Sequence, residues 1–353
     1  MIQDIRVLAA RGGFEIAGVA PVGAIPDFAR YMDWVQNGRA GAMSYLTDHR
    51  ATLRQDVRSL LPSAQSVICV GKLYNGPEPY STAFSDRERG WIARYAWGED
   101  YHRVMRRGLE RLALDLTDAA GPHEWRVCVD TAPVLERSLA KAAGLGWIGK
   151  NTCLINQQRG SWFFLGELIT SLALTPVDEQ APDRCGTCTR CIEACPTGAI
   201  LHDGIDSRLC ISYLTIELRA SIEEDLRDGV GRHIFGCDIC QDVCPWNNRS
   251  EVTPEFAPLP GTFAPPLEKL AILTEREFRE LFRQTPVDRA RYRGFLRNVA
   301  VAMGNSGSSA LIEPLERLAL FDDELVRDHA IWALQKLKSK QRHAPTPFHR
   351  SDV

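Results

Sequence analysis

The stretch CGTCTRCIEACP, residues 185–196, decides how the middle of this chain folds. Its cysteines follow the spacing C-x2-C-x2-C-x3-C-P, in which the two-residue spacers bring three thiolates onto one tight loop. The fourth thiolate precedes Pro196, points away from that loop and serves a second centre. The spacing therefore predicts two [4Fe–4S] clusters in a bacterial-ferredoxin-like arrangement.

A second stretch, GCDICQDVCPW at residues 236–246, supplies further ligands to both clusters. Crossed ligation, as in two-cluster ferredoxins, assigns the first cluster to Cys185, Cys188, Cys191 and Cys244. The second cluster then takes Cys195, Cys237 and Cys240 and needs one more thiolate. Cys210 is the only cysteine between the two stretches, and we predict that it fills this position.

Structural zinc is the alternative for these cysteines, because CxxC pairs also bind Zn²⁺. Zinc ribbons seldom use a CxxCxxCxxxCP run, which favours iron–sulfur clusters. The three remaining cysteines, Cys69, Cys128 and Cys153, lie in apolar runs outside the pattern. We predict that they are buried core thiols and not ligands.

The composition is that of a soluble globular protein with two or three domains. The chain has 353 residues, of which 44% are hydrophobic and 25% charged. A net charge of −3 excludes a global basic field, so any nucleic-acid binding depends on a local patch. The N-terminal residues lack a compact apolar run, and no twin-arginine pair precedes one. We therefore expect a cytoplasmic protein without a membrane span, whose thiols stay reduced and bind metal.

Three zones of different texture follow one another along the chain. Residues 1–178 alternate β-rich runs with helical stretches, which predicts an α/β domain with a covered sheet. Residues 179–262 are rich in Cys, Gly and Pro and form the ferredoxin-like domain. Residues 263–353 follow a Pro-rich linker and have helical periodicity.

The helical zone contains a faint internal repeat. Residues 296–303 and 326–333 align at an offset of 30 residues, each with small and apolar residues on one helical face. Antiparallel helix pairs of this kind build HEAT-like solenoids, and a plain helical bundle is the alternative. We predict a HEAT-like α-helical domain.

Seven segments, taken together and in this order, resemble one known enzyme family. They are RYAWGEDYH (94–102), DTAPVLER (130–137), GLGWIGK (144–150), GSWFFLGE (160–167), the cysteine run at 185–196, CISYLTIE (210–217) and GCDICQDVCPW (236–246). Over nearly its whole length the chain resembles the epoxyqueuosine reductases, cobalamin-dependent enzymes of queuosine synthesis in tRNA. The resemblance implies that residues 1–178 bind cobalamin, in a domain related to that of reductive dehalogenases, and that the HEAT-like domain binds tRNA.

The resemblance also implies a reaction and a proton donor. Epoxyqueuosine at the wobble position of tRNA is reduced to queuosine by cob(I)alamin chemistry, with electrons from an external low-potential donor through the clusters. The family's proton donor is the aspartate of DTAPVLER, here Asp130. A helix N-cap is the alternative role, because Asp130 follows a β-rich run and precedes Pro133 and an apolar helix. We expect the protein to be a monomer.

The resemblance also implies further candidates for the corrin pocket. In addition to Asp130, the candidates with polar side chains are Arg54, Arg94, Lys141, Asn151 and Ser212. Ser212 is the best placed of them, two residues beyond a predicted cluster ligand. The candidates for packing on the corrin, for which a place in the core is the alternative, are Tyr95, Trp97, Tyr101 and Trp246.

A protein histidine on the cobalt is not expected. Many cobalamin proteins supply one from a D-x-H-x-x-G motif, and the nearest stretch here, residues 100–105, ends in methionine. We predict that His102 is a structural or pocket residue.

The stretch RARYRGFLR, residues 289–297, is the candidate tRNA contact, because it has four arginines and no acid. Arginine contacts to phosphate give salt-dependent affinity without reading the base sequence. The predicted RNA contacts are Arg289, Arg291, Arg293 and Arg297. A second basic stretch consists of Lys336, Lys338, Lys340 and Arg342. We predict that it is a solvated helix face and tail and does not bind RNA.

Two other functions fit part of the sequence. A reductive dehalogenase acting on small organohalides would share the cofactors, but such enzymes are commonly exported and lack a basic helical C-terminal domain. A non-catalytic electron-transfer protein would use the α/β domain only to bind a partner. Failure of the reconstituted protein to bind cobalamin would remove both enzyme hypotheses.

Overall fold

The computed structural model describes residues 4–176 and 181–342. The helices are α1 (Ile5–Arg11), α2 (Phe28–Gln36), α3 (Arg50–Leu53), α4 (Tyr101–Ala120), α5 (Glu136–Ala142), α6 (Arg190–Ala194), α7 (Ile211–Ile216), α8 (Glu224–Val230), α9 (Ile239–Asp242), α10 (Leu267–Ala271), α11 (Glu275–Phe282), α12 (Tyr292–Ser306), α13 (Ile312–Leu318) and α14 (Glu324–Arg342). The strands are β1 (Ile16–Pro21), β2 (Ser66–Leu73), β3 (Trp91–Ile92), β4 (Trp125–Cys128), β5 (Trp147–Ile148), β6 (Leu154–Ile155), β7 (Phe163–Thr170), β8 (Ile200–Leu201), β9 (Gly204–Ile205) and β10 (His233–Phe235).

The largest sheet lies in the first zone and has the strand order β1–β2–β7–β4. Every neighbouring pair in it is antiparallel. Along β2, Ile68 and Val70 pack with α1 and α4, whereas the alternate residues Val67 and Cys69 pack with α5. The sheet is therefore covered on both faces, as predicted. Its antiparallel pairing makes this region α+β, because parallel βαβ units are missing from the sheet.

A second core joins parts of the chain that are far apart in sequence. Strand β3 pairs in parallel with β10, which follows the first cysteine-rich run. Trp91, Trp97 and Phe235 pack in one hydrophobic cluster with side chains from α10 to α14. Residues from all three zones thus contribute to one core, and the domain boundaries at 178 and 262 stay predictions.

The two segments of the internal repeat lie in α12 and α14, which pack against each other. Their contact is close because it is made by small residues. A Cβ atom on Gly304 of α12 would lie 2.8 Å from the Cα atom of Ala333 of α14. The helical character of this zone is confirmed, and its HEAT-like assignment stays a prediction. Within the described ranges, no helix combines the length and apolarity needed to cross a membrane.

Arg297 is a structural residue, and the prediction that it contacts tRNA is wrong. It lies on α12, and its side chain is completely buried. Its guanidinium donates to the carbonyl oxygens of Leu214 (2.5 Å), Leu218 (2.9 Å) and Ala220 (2.6 Å). These bonds attach α12 to the segment that begins in α7, so the side chain cannot reach a phosphate.

Replacing Arg297 with alanine should therefore destabilise the protein. The buried carbonyl oxygen of Leu214 and the part-buried ones of Leu218 and Ala220 would lose their donor, and an orphaned buried group costs about 1–3 kcal/mol. We expect the free energy of unfolding in urea to fall by about 3 kcal/mol or more. The control is Arg293→Ala, since Arg293 is exposed and pairs with Asp323 only at the surface. That change should cost less than about 1 kcal/mol, and equal losses in the two variants would contradict the assignment.

Candidate active site

The four predicted ligands of the first cluster line one cavity. Cys185, Cys188, Cys191 and Cys244 border a space of about 360 Å³, together with Trp246. Lys150 fixes the ligand loop, because its Nζ donates to the carbonyl oxygens of Gly186 (2.7 Å) and Cys188 (3.0 Å). The donor set and the space it surrounds fit a [4Fe–4S] cluster.

The four predicted ligands of the second cluster are also neighbours. Burial raises the pKa of Cys237 well above its usual range, and the nearby thiols of Cys210 and Cys195 add to the rise. The pKa of Cys240 is raised by a hydrogen bond with Cys153, by burial and by Cys237 and Cys210. The chain thus brings its thiols together in the two groups that crossed ligation predicts. Among the described residues, no three His, Cys, Asp or Glu side chains are arranged to hold a single metal ion.

The cysteines outside the pattern occupy different surroundings. Cys69 and Cys128 are buried in the core beside the main sheet, as predicted. Cys153 is instead hydrogen-bonded to the thiol of Cys240. Spacing could not indicate this, because Cys153 precedes the ferredoxin run by more than thirty residues.

Two of the proposed corrin contacts lie beside cluster ligands. Ser212 makes backbone and side-chain hydrogen bonds to the Cys210 thiol. The Nδ2 of Asn151 donates to the carbonyl oxygen of Cys240 at 3.4 Å. Lys141 lies in the last turn of α5. A corrin contact by any of these three residues stays a prediction.

The prediction that the Arg94 side chain contacts the corrin is wrong. Arg94 is only 1% exposed, and its guanidinium donates to the carbonyl oxygens of Gly76, Glu78 and Pro79 at 2.9–3.1 Å. The core also contains Trp97, whose indole N–H donates to Ile92, so Trp97 is not available for packing on a corrin.

Arg54 is also largely buried, and it supports a neighbouring loop. Its guanidinium donates to the carbonyl oxygens of Arg50 (2.8 Å) and Tyr45 (3.3 Å) and lies over the ring of Tyr31. A direct corrin contact by Arg54 stays a prediction, but the bonds observed show that it orients the loop of Tyr45.

Asp130 is the centre of a strained turn and not a helix cap. Its φ angle is 51°, in the left-handed region that favours glycine. The N–H of Thr131 donates to the carbonyl oxygen of Val129 at 2.5 Å, which closes a three-residue turn around it. Helix α5 begins only at Glu136, so the N-cap alternative for Asp130 is wrong. Strain of this kind is concentrated at functional sites.

His102 connects Asp130 to the start of α4. The carboxylate of Asp100 accepts from the His102 backbone N–H (3.0 Å) and contacts its Nδ1 (2.7 Å), while Nε2 lies 3.1 Å from Oδ2 of Asp130. Burial lowers the pKa of His102, but the two carboxylates outweigh it and raise the pKa to about 9. Both ring nitrogens are thus engaged, which fits a cobalamin bound without a histidine on cobalt.

Aromatic rings surround this pair of residues. The ring of Tyr101 lies parallel to that of Phe164, with centroids 4.3 Å apart, and stacks on His102. Burial raises the pKa of Tyr95, and the nearby charge of Asp130 raises it further. Tyr95 and Tyr101 therefore lie near Asp130, whereas Trp246 packs on Trp147 at the first cluster.

Arg289, Glu217 and Tyr45 form a polar group close to Asp130 that the sequence did not predict. The Nε of Arg289 donates to Glu217 at 2.5 Å, and its guanidinium lies over the ring of Tyr45. Burial raises the pKa of Tyr45 to about 12, with contributions from Glu217 and Asp130. The sequence singled out Arg289 as a predicted RNA contact and Glu217 as the last residue of the matching segment 210–217, but it did not connect either residue with Tyr45 or Asp130.

The other predicted RNA contacts lie at the surface. Arg291 and Arg293 are exposed, each near one aspartate. Lys336 pairs with Asp228, and Lys338 pairs with Glu316 at 3.0 Å. These pairs partly neutralise the second basic stretch, and the side chains of Lys340 and Arg342 lie outside the described residues.

Comparisons with known proteins agree with these observations. The 4Fe-4S double cluster binding domain matches residues 184–247, and the family described as epoxyqueuosine reductase QueG matches residues 54–131. Epoxyqueuosine reductase of Xanthomonas campestris pv. campestris is 43% identical over 337 residues, which cover 94% of each chain.

Solved structures of such enzymes have the same fold. A crystal structure of epoxyqueuosine reductase with an epoxyqueuosine-modified tRNA-Tyr stem loop matches with a TM-score of 0.85 at 27% identity, over 97% of this chain and 94% of that one. The enzyme of Bacillus subtilis, in a structure with its catalytic aspartate loop swung out of the active site, matches with a TM-score of 0.84 at 26% identity and the same coverage. The chain belongs to the epoxyqueuosine reductase family.

Proposed function

We propose that this protein reduces epoxyqueuosine to queuosine at the wobble position of tRNA. The observation that carries the proposal is the geometry of Asp130, a half-exposed carboxyl on a strained turn, 3.1 Å from His102. A chain of this family, with eight thiols in two groups, offers both the electrons and the proton that the reaction requires.

The net reaction sets what the protein must deliver. Removal of the epoxide oxygen as water consumes two electrons and two protons and leaves an alkene. The two thiol groups would hold the clusters, which would supply the electrons of an external low-potential donor. When bound, cobalamin supplies the low-valent cobalt chemistry for opening the epoxide, and the residues proposed to hold it are Lys141, Asn151 and Ser212.

Asp130 and His102 handle the proton. The Asp130 carboxyl protonates the epoxide oxygen as its bond to carbon breaks, which avoids an unstabilised alkoxide. His102 then returns a proton to Asp130 across 3.1 Å, so that Asp130 can give the second proton with which the oxygen leaves as water, and Asp100 fixes the imidazole in the required orientation. The stacked rings of Tyr101 and Phe164 exclude water from one side of this pair.

The tRNA approaches from the side of α12. Arg291 and Arg293 are exposed there and suit contacts to phosphate, which position the anticodon loop without reading its sequence. Arg289, Glu217 and Tyr45 form a contiguous group close to Asp130. The wobble nucleotide leaves the loop and passes this group to reach Asp130, as is usual in recognition of single-stranded RNA. A tRNA substrate implies a cytoplasmic protein.

The direct test is the state of tRNA in a deletion strain. Without the enzyme, epoxyqueuosine should replace queuosine in digested tRNA analysed by mass spectrometry. Complementation with the wild-type gene should restore queuosine, and complementation with an Asp130→Asn variant should not. Normal queuosine in the deletion strain would sink the proposal.

The pH dependence of turnover tests the proton pair. Because the pKa of His102 is raised to about 9, the imidazole holds its proton below that pH and loses it above. We expect kcat for reduction of epoxyqueuosine tRNA to fall as the pH rises through about 9. In the His102→Gln variant, kcat should be lower by a factor of about 10² or more, and it should no longer decrease as the pH rises through about 9. The same alkaline limb in both proteins would assign it to another group.

Iron content tests the eighth ligand. The Cys210→Ala variant should lose the second cluster, or about four of eight iron atoms per chain, because that cluster keeps only three thiolates. The matched control is Cys69→Ala, since Cys69 is buried in the sheet and away from both thiol groups. Unchanged iron in Cys210→Ala, measured after anaerobic reconstitution, would show that the ligand is misassigned.

A further inference from the structure

The backbone at Asp130 needs restraint from its surroundings. A non-glycine residue at a φ of 51° is strained by about 1–3 kcal/mol and keeps that conformation only where other contacts hold it. The bond between Asp130 and His102 restrains the carboxylate, but it leaves the backbone of the turn free to relax. A second restraint on the backbone itself is therefore required.

Glu136 supplies this restraint from the first turn of α5. Its Oε1 accepts a hydrogen bond from the Asp130 N–H at 2.5 Å. The bond ties the turn to the start of a helix whose residues Leu139 and Ala140 are buried against the sheet. A carboxylate accepts such a bond about twice as strongly as a neutral group.

Buried Glu167 indicates which of two neighbouring carboxyls keeps its charge. It lies at the centre of the main sheet, opposite Cys69 on β2 and Cys128 on β4. Its side chain is completely buried, and neither oxygen has a hydrogen-bond partner among the described residues. Burial raises its pKa well above the usual range, and the charge of Glu136 raises it further. Glu167 is therefore neutral. Burial and the nearby charge of Asp130 raise the pKa of Glu136 only to about 7, so that Glu136, which accepts the Asp130 N–H, is the carboxyl that ionises above this pH.

We propose that Glu136 is a positioning residue that holds the strained turn, so that the Asp130 carboxyl faces His102 and the substrate. The inference rests on the proposed function, because it takes Asp130 as the proton donor. Without the bond from Glu136, the turn relaxes toward ordinary backbone angles and the carboxyl moves away from the reacting oxygen. A displacement of about 1 Å at such a group costs about 10²-fold in rate.

Three substitutions of Glu136 distinguish the effect of its side-chain length from the effect of its charge. Glu136→Gln keeps an oxygen that can accept from the Asp130 N–H but removes the charge. Glu136→Asp keeps the charge but withdraws the acceptor by one methylene group, and it fills the site better than Glu136→Ala if the alanine variant fails to fold. A positioning role predicts that the glutamine variant keeps most of the wild-type kcat, whereas the aspartate and alanine variants lose about 10²-fold. KM for tRNA and iron content should be unchanged in all three.

Hydrogen exchange provides a readout that is independent of turnover. Amides of the segment 129–135 should exchange faster in the aspartate and alanine variants than in the wild type, with the rest of the chain unaffected. Glu110→Ala, at an exposed position on α4, is the control and should change neither exchange nor kcat. Wild-type exchange in this segment of Glu136→Ala overturns the proposal, and so does a glutamine variant less active than the aspartate variant. If the wild-type protein fails to reduce epoxyqueuosine tRNA, the proposed function fails, and the exchange comparison still tests the restraint.

Discussion

The structure depends on the crossing of two cysteines between two short stretches of chain. Cys195 leaves the first cysteine run to join Cys210 and Cys237, and Cys244 returns from the second stretch to join Cys185 and Cys191. In the predicted ligation, each cluster would therefore tie the two stretches to each other. β10 directly precedes the second stretch and pairs with β3, so the same constraint fixes the first zone and the helices around the second core.

Charged side chains divide sharply into structural and surface groups, and the sequence does not show which is which. Arg297 and Arg293 stand four residues apart on one helix, yet Arg297 is buried and bonded to three carbonyl oxygens while Arg293 is exposed. Arg94 lies in a matching segment and is equally buried. A buried guanidinium is stable only when its donors are satisfied, and the carbonyls that satisfy Arg297 come from residues 214–220. That information is tertiary, which is why the run of arginines suggested an RNA contact for Arg297 as well.

The sequence predicted best where chemistry depends on local spacing. The cysteine runs and the motif of Asp130 lie within short segments, so their residues could be recognised without knowing the fold. The pairing of β3 with β10, the contact of His102 with Asp130 and the group of Arg289, Glu217 and Tyr45 join distant segments. The helix-cap alternative for Asp130 is wrong because five residues separate Asp130 from the start of α5. The positive φ angle of Asp130 could not be predicted, because residues other than glycine seldom adopt it.

Asp130 shows why a proton donor benefits from an unfavourable backbone. An aspartate in an ordinary extended or helical conformation would be stable in several orientations, and its carboxyl would spend time away from the epoxide. The tight turn at Asp130 is tolerated only while His102 holds the side chain and Glu136 holds the N–H. Both restraints come from the first turns of helices that pack on opposite faces of the main sheet, α4 and α5. The two helices, both packed on the rigid sheet, therefore restrain the Asp130 carboxyl from opposite sides. The backbone strain at Asp130 is the free energy spent on keeping this carboxyl in one orientation.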